Sequence, residues 1–270
     1  MPLAPSIDNF LDTHRHDEKL VEFGKIAICH AIQKAESKSR LVVDKSNTEN
    51  SLDFEALGDT WLLKLFKILV AQRTFEDFLE ALQNITFVSF NYDRCIHQFF
   101  WYASRSYFRL EQVDQDSVLS ALSVLYPYGT IGDFKKERAI HSNFGVEMYG
   151  EQLLGNAKSI KTFTEGADSK LVEQIKEAIG NSELVLFLGF GFLRLNMELL
   201  FEGALFPALR VLGTGKGLSQ DSISEIQKEL LSEFPFAADE FLDQDNANRV
   251  RIVDCTCGSL FHEYERYLSR

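Results

Sequence analysis

The stretch Phe87-Val-Ser-Phe-Asn-Tyr-Asp-Arg-Cys-Ile-His-Gln-Phe-Phe100 decides how this chain is read. Its first half is apolar and rich in β-formers, as a buried strand would be. Its second half carries apolar residues at helical spacing. Between them, where a tight turn would suffice, stand Asn91, Tyr92 and Asp93. One reading is local: asparagine tolerates a left-handed backbone at a sharp exit, and Asp93 caps the helix that follows. The other is functional: Asn91 presents its side-chain amide to a ligand hydroxyl or a water. The two are compatible.

Working outward, residues 85–90 predict a strand. Ile96, Phe99, Phe100, Ala103 and Tyr107 then predict the apolar face of a helix. Upstream, Leu20, Phe23, Ala27, Ala31 and Ala35 give residues 19–36 a helical period. Residues 44–59 are acidic and read as a loop. Residues 61–82 predict helix in two pieces, broken near 71–74. Downstream, residues 122–129 predict a strand ending at Pro127–Gly129, and 160–163 another. Leu171, Ile175, Ala178 and Ile179 mark a helix. Residues 183–191, apolar on both faces, predict a fully buried strand. Residues 209–215 and 249–255 predict two more. Ser222 with Glu225 predicts a capping box, and 259–268 a final helix.

Apolar strands alternating with helices predict an α/β fold with one Rossmann-like parallel sheet, helices on both faces, in a single domain over 1–270. A helical region at about 17–83 would be inserted or packed beside that sheet. Such sheets bind ligands at the carboxyl ends of their strands. Three predicted strands end in suggestive chemistry: Asn91-Tyr92-Asp93, Tyr128-Gly129 and Gly189-Phe190-Gly191.

Composition narrows the classes. The chain has 270 residues, 45% hydrophobic and 25% charged, with 23 phenylalanines and a net charge of −12. That is an ordinary globular composition with an aromatic core. The negative charge and the absence of a basic patch argue against nucleic acid. No apolar run approaches the roughly 20 residues a bilayer takes, and the first residues lack a signal-peptide pattern. Cys29, Cys95, Cys255 and Cys257 are too few and too scattered for a disulfide framework, so the expectation is a cytosolic protein. Cys255, Cys257 and His262 are too tightly spaced for a usual zinc site and read as a strand end.

The glycines give partial matches only. Gly189 and Gly191 after an apolar strand suit close approach of a ligand phosphate or ribose, or equally close helix–strand packing. The third glycine of the dinucleotide fingerprint would fall at Arg194. The stretch 213–219, GTGKGLS, fails the phosphate-loop spacing and reads as a loop.

Taken in order, SFNYDRCIHQFF (89–100), YPYGTIG (126–132) and FLGFGFLRLN (187–196), with SIDNFL near the start and IKTFTE in the middle, resemble the bacterial sirtuin-like domain family. The resemblance covers most of the chain and implies a Rossmann-like domain that binds NAD. It implies activity of the NAD hydrolase type, cleaving the nicotinamide–ribose bond, in some relatives for anti-phage defence. It implies that Asn91 handles the nicotinamide ribose and the attacking water, with Ser89 and Asp93 in the same motif. Tyr128 and Gly129 would fall at the middle motif, and Gly189, Phe190, Gly191 and Asn196 on the adenosine side.

Two departures qualify the expected activity. The family's first strand and Gly-Ala-Gly phosphate loop have no counterpart, so the sheet is expected to lack its first strand. An open slot should then separate the strands ending at Phe90 and Leu188. Tyr128 also stands where the family carries its catalytic histidine, and a phenol with pKa about 10 is a poor base at neutral pH. The expectation is slow or no hydrolysis. The alternative is an inactive relative that binds NAD, ADP-ribose or a protein partner, with oligomerisation left open.

Overall fold

The computed structural model describes residues 7–43, 50–132, 144–162, 165–202, 210–233 and 249–268. In chain order the elements are α1 (Ile7–Thr13), α2 (Glu18–Ser37), α3 (Trp61–Val70), α4 (Phe75–Gln83), β1 (Thr86–Val88), α5 (Cys95–Phe108), α6 (Gln112–Ala121) and β2 (Ser123–Leu125). The second half adds α7 (Glu151–Ser159), α8 (Ser169–Gly180), β3 (Leu184–Phe187), α9 (Arg194–Phe201), β4 (Arg210–Thr214), α10 (Gln220–Glu233), β5 (Val250–Val253), α11 (Cys257–Glu263) and α12 (Glu265–Leu268).

The chain divides into two compact units. The first holds Met1–Gly58 and Leu69–Asp168; the second holds Asp59–Ile68 and Ser169–Arg270. The boundary falls inside α3, so the helical stretch at 17–83 is shared between them.

Every strand pair is parallel, and small sheets flanked by helices make this an α/β chain. The ladders group the strands as β1-β2 in the first unit and β3-β4-β5 in the second. That differs from one continuous sheet: among the described residues no ladder joins β1 to β3. In the first unit Thr86 pairs Ser123 and Val88 pairs Leu125. In the second, Leu186 pairs Leu212, and Leu212 pairs Arg251.

Several sequence readings are corrected. Residues 160–162 form no strand; only the bond from the Lys161 amide to the Tyr128 carbonyl, 2.8 Å, resembles pairing. The residues 163–164 lie outside the described ones. The segment 183–191 forms a short strand that is mostly half-buried, because β3 ends its ladder while β4, flanked on both sides, is buried almost throughout. The cap of α10 is Ser219, whose hydroxyl accepts from the Ser222 amide at 3.1 Å; the helix starts earlier than a Ser222 cap would allow. The last helix begins at Cys257, capped by Thr256, and is followed by the separate α12.

Helix α2 is rotated from its predicted face. Its buried residues are Ile28, Cys29, Gln33 and Glu36. Ala27, Ala31 and Ala35 face solvent, and Phe23 is 69% exposed. In α5 the buried side includes Phe99, Phe100, Trp101 and Ala103, as the apolar spacing predicts, but Tyr107 is exposed.

Candidate functional site

In the first unit, β1 and β2 end side by side and carry Ser89, Asn91, Asp93, Tyr128 and Gly129 on their exits. The register continues one step past the strands, with the Ser89 amide donating to the Leu125 carbonyl at 2.9 Å. The chain then turns through Phe90–Arg94 into α5. Asn91 is not left-handed there, contrary to the local reading of the sequence: its φ is not among the positive ones. Its carbonyl accepts from the Ser89 hydroxyl at 3.4 Å. Its side chain is exposed and makes no hydrogen bond among the described residues.

The neighbours of Asn91 are all tied down. The Tyr92 carbonyl accepts from the Ile131 amide at 3.0 Å and from the Thr130 hydroxyl at 2.9 Å. The Tyr92 hydroxyl donates to the Lys161 carbonyl at 3.1 Å. Asp93 Oδ1 accepts from the Cys95 amide at 3.0 Å, but the N-cap of α5 is Arg94, so Asp93 stands one residue ahead of the cap expected of it. Arg94 is buried and its guanidinium meets the buried Glu36 carboxylate at 2.7 Å.

Tyr128 does not open to solvent. It is 5% exposed, and its ring lies 5.9 Å from that of Phe90. Gly129 follows at φ +81, and a Cβ there would stand 2.0 Å from the Ser159 carbonyl oxygen. Only glycine fits, because the turn needs a left-handed residue and α7's end crosses directly over it.

An imidazole does come near this exit, from the helix that follows it. His97 Nδ1, on the first turn of α5, lies 3.3 Å from Tyr126 Oη, and both rings stack. Burial pushes the Tyr126 phenol well up, and the Asp93 charge adds to that. Cys95 is likewise pushed up by burial first and by Asp93 next. Neither group is poised to ionise at neutral pH.

In the second unit the exit of β3 is built differently. Gly189 lies at φ +62, and its amide donates to the Thr214 hydroxyl at the end of β4 at 2.8 Å. Thr214 Oγ1 in turn lies 4.0 Å from Cys257 Sγ, at the start of α11. Thus the ends of β3 and β4 and the turn after β5 meet through an amide, a hydroxyl and a thiol. The close-packing explanation of the glycine pair does not hold. A Cβ at Gly189 or Gly191 would meet nothing nearer than 3.7 or 3.8 Å, and both residues are exposed. The crowded glycines are Gly213, Gly215 and Gly258 instead.

Phe190 packs its ring on Phe187 and Phe192, each with centroids 5.2 Å away. Phe192 takes φ +50, a strained conformation for a bulky residue. Asn196 is buried in the first turn of α9. The loop at 213–219 already holds an anion of its own: the Gly217 amide donates to Asp254 Oδ1 at 3.2 Å. That carboxylate opposes a phosphate in the same turn.

The predicted residues therefore gather in two groups. Ser89, Asn91, Asp93, Tyr128 and Gly129 share the exits of β1 and β2. Gly189, Phe190, Gly191 and Asn196 share the exit of β3. Sequence reasoning missed Glu36, His97, Thr214 and Cys257. The last two lie in stretches, GTGKG and CTC, that failed known motif spacings and so carried no signal.

Each unit also has a cavity. One of about 610 Å³ runs between α2 and α7 and is crossed by the Lys25–Glu165 ion pair. Another of about 390 Å³ is lined by Trp61, Lys64, Thr256, Cys257 and Ser259. Among the described residues no group of three His, Cys, Asp or Glu could hold a metal ion, and no helix is long and apolar enough to cross a membrane. In comparison with known proteins, the chain matches no family model, no curated protein and no solved structure.

Proposed function

We propose that this chain is a sirtuin-like nucleotide-binding domain that takes NAD or ADP-ribose, with hydrolysis of NAD slow. The observation that carries the reading is Asn91: an exposed amide, without a hydrogen-bond partner among the described residues, at a strand exit whose neighbouring residues are held in place. The exposed Gly189 and Gly191, free of packing demands, support a second exit suited to close backbone approach.

Hydrolysis would proceed by attack of water on C1′ of the nicotinamide ribose. The N-glycosidic bond breaks, nicotinamide leaves with the bonding pair, and ADP-ribose and a proton result. Asn91 would orient the water and a ribose hydroxyl. General-base help is worth about 10²–10⁴ in rate, and the residue at the family's histidine position, Tyr128, is a buried phenol. That favours binding over turnover, and it favours the non-catalytic alternative where the two readings part.

Calorimetric titration of the protein with NAD and with ADP-ribose tests the reading, alongside nicotinamide release. Binding is expected to weaken by about ten-fold or more in Asn91→Ala, with little nicotinamide released by either form. Absence of binding by the unaltered protein would sink the nucleotide reading. Fast turnover abolished by Asn91→Ala would show that the tyrosine substitution matters less than argued.

A further inference from the structure

We propose that Glu36 is a positioning residue for the Asn91 loop, holding in place the backbone from which the Asn91 amide reaches out. The inference rests on the reading of Asn91 as a ligand-contacting group.

Glu36 lies in the last turn of α2, where a negative charge is disfavoured by the helix dipole. It is also buried, where an unpaired carboxylate would be costly. Its two oxygens are committed. Oε1 accepts from the Arg94 backbone amide at 3.0 Å and from Arg94 Nε at 3.3 Å. Oε2 accepts from Arg94 Nη2 at 2.7 Å and from the Gly145 amide at 3.5 Å. One carboxylate thus grips both the side chain and the main chain of the residue that starts α5. It occupies the anion position at that helix's N-terminus, which offsets its unfavourable place at the end of α2.

A buried ion pair is weak evidence of a stability role, since well-packed apolar residues serve stability equally well. What this one supplies is position. Arg94 is three residues beyond Asn91, and the Tyr92 carbonyl and Asp93 carboxylate are held between them. The Asn91 side chain has no bond of its own within the described residues, so the region its rotamers can reach is set by this backbone. An asparagine so placed acts on a ligand only while the backbone beneath it stays put, and a displacement near 1 Å costs about 10²-fold in a well-oriented site.

The test compares Glu36→Gln, which keeps size and an acceptor but removes the charge, with Leu230→Ala, a cavity in the other unit. The first readout is the Asn91 side-chain amide resonance pair, identified by its loss in Asn91→Ala. The second is affinity for NAD and ADP-ribose. Glu36→Gln is expected to shift the Asn91 resonances and weaken binding about ten-fold or more, and Leu230→Ala to do neither. Should Glu36→Gln not fold, the double variant Glu36→Met/Arg94→Met replaces it, with the same shift expected in a folded protein. Unmoved Asn91 resonances, or an equal shift in Leu230→Ala, would overturn the proposal. If the unaltered protein binds neither nucleotide, the nucleotide reading fails, and the resonances still decide the positioning role.

Discussion

The exits of β1 and β3 present opposite solutions to one problem. At β1 the loop is locked by side chains and a buried ion pair, and it offers one side-chain amide outward. At β3 the exit is exposed glycine backbone, tied through one amide to Thr214. The first exit fixes the backbone beneath one exposed side chain. The second leaves the main chain bare. Binding determinants at the two should therefore respond to different substitutions: polar ties at the first, added side-chain bulk at the second.

Arg94→Met strikes the first exit hardest. It leaves the Glu36 carboxylate buried without its partner, and about 3–5 kcal/mol of stability should be lost by chemical denaturation. The double variant with Glu36→Met should recover most of it. A loss under about 1 kcal/mol in the single variant would mean that the pair is not the lock described.

The glycines sharpen the contrast. Gly129→Ala places a Cβ against the Ser159 carbonyl in a left-handed backbone, and about 3 kcal/mol should be lost. Gly191→Ala meets no close atom, so its thermal midpoint should hold within the change expected of about 0.5 kcal/mol. Its effect should fall on nucleotide affinity instead. Equal stability losses at both would erase the distinction between the exits.

Thr214→Val removes the hydroxyl that accepts from the Gly189 amide while keeping shape. About 1 kcal/mol of stability is expected to go, with hydrogen exchange at Gly189 accelerated.

The smallest effect is expected from Glu165→Gln at the rim of the first unit. Burial pushes the Glu165 carboxyl up, but bonds from Lys25 and from the Thr162 amide and hydroxyl outweigh it and hold it below its ordinary value. A depressed carboxylate stabilises the fold above its unfolded pKa of about 4.3, and the contribution fades as pH falls through the folded value. The partly exposed pair is worth about 0–1 kcal/mol. The difference between Glu165→Gln and the unaltered protein should vanish on acidification; a difference that grew would reverse the sign argued here.

How much of this was legible follows from where the polar residues went. The break between α3 and α4 and the parallel pairing of β1 with β2 could be read, because apolar periodicity governs them. The buried face of α2 could not. It carries Gln33 and Glu36, polar residues whose partner Arg94 lies 58 positions away, and no local pattern announces a long-range pair. The same blindness hid His97, whose neighbour Tyr126 comes from just past β2, 29 positions away. It also hid Thr214, which sits within a glycine-rich run. The division of the ladders was not visible, because apolar periodicity marks strands without saying which of them pair.

The junction of α3 with α11 bears on the order in which the chain acquires its shape. Lys64 Nζ donates to the Gly258 carbonyl at 2.9 Å, across 194 positions. A Cβ on Gly258 would lie 2.0 Å from the Asp59 carbonyl oxygen, and Trp61 stacks near Phe261. During synthesis, residues 59–68 emerge long before the segment they pack against. The first unit has all its residues from Leu69 to Asp168 by then, while this apolar helix waits for a partner still to be made. Contacts of such separation are slow to form because loop closure precedes their reward. Assembly of the second unit is therefore the late event, and the wait of Trp61, Leu62 and Phe66 is the interval in which a nascent chain is most open to holding by a chaperone or to mispairing.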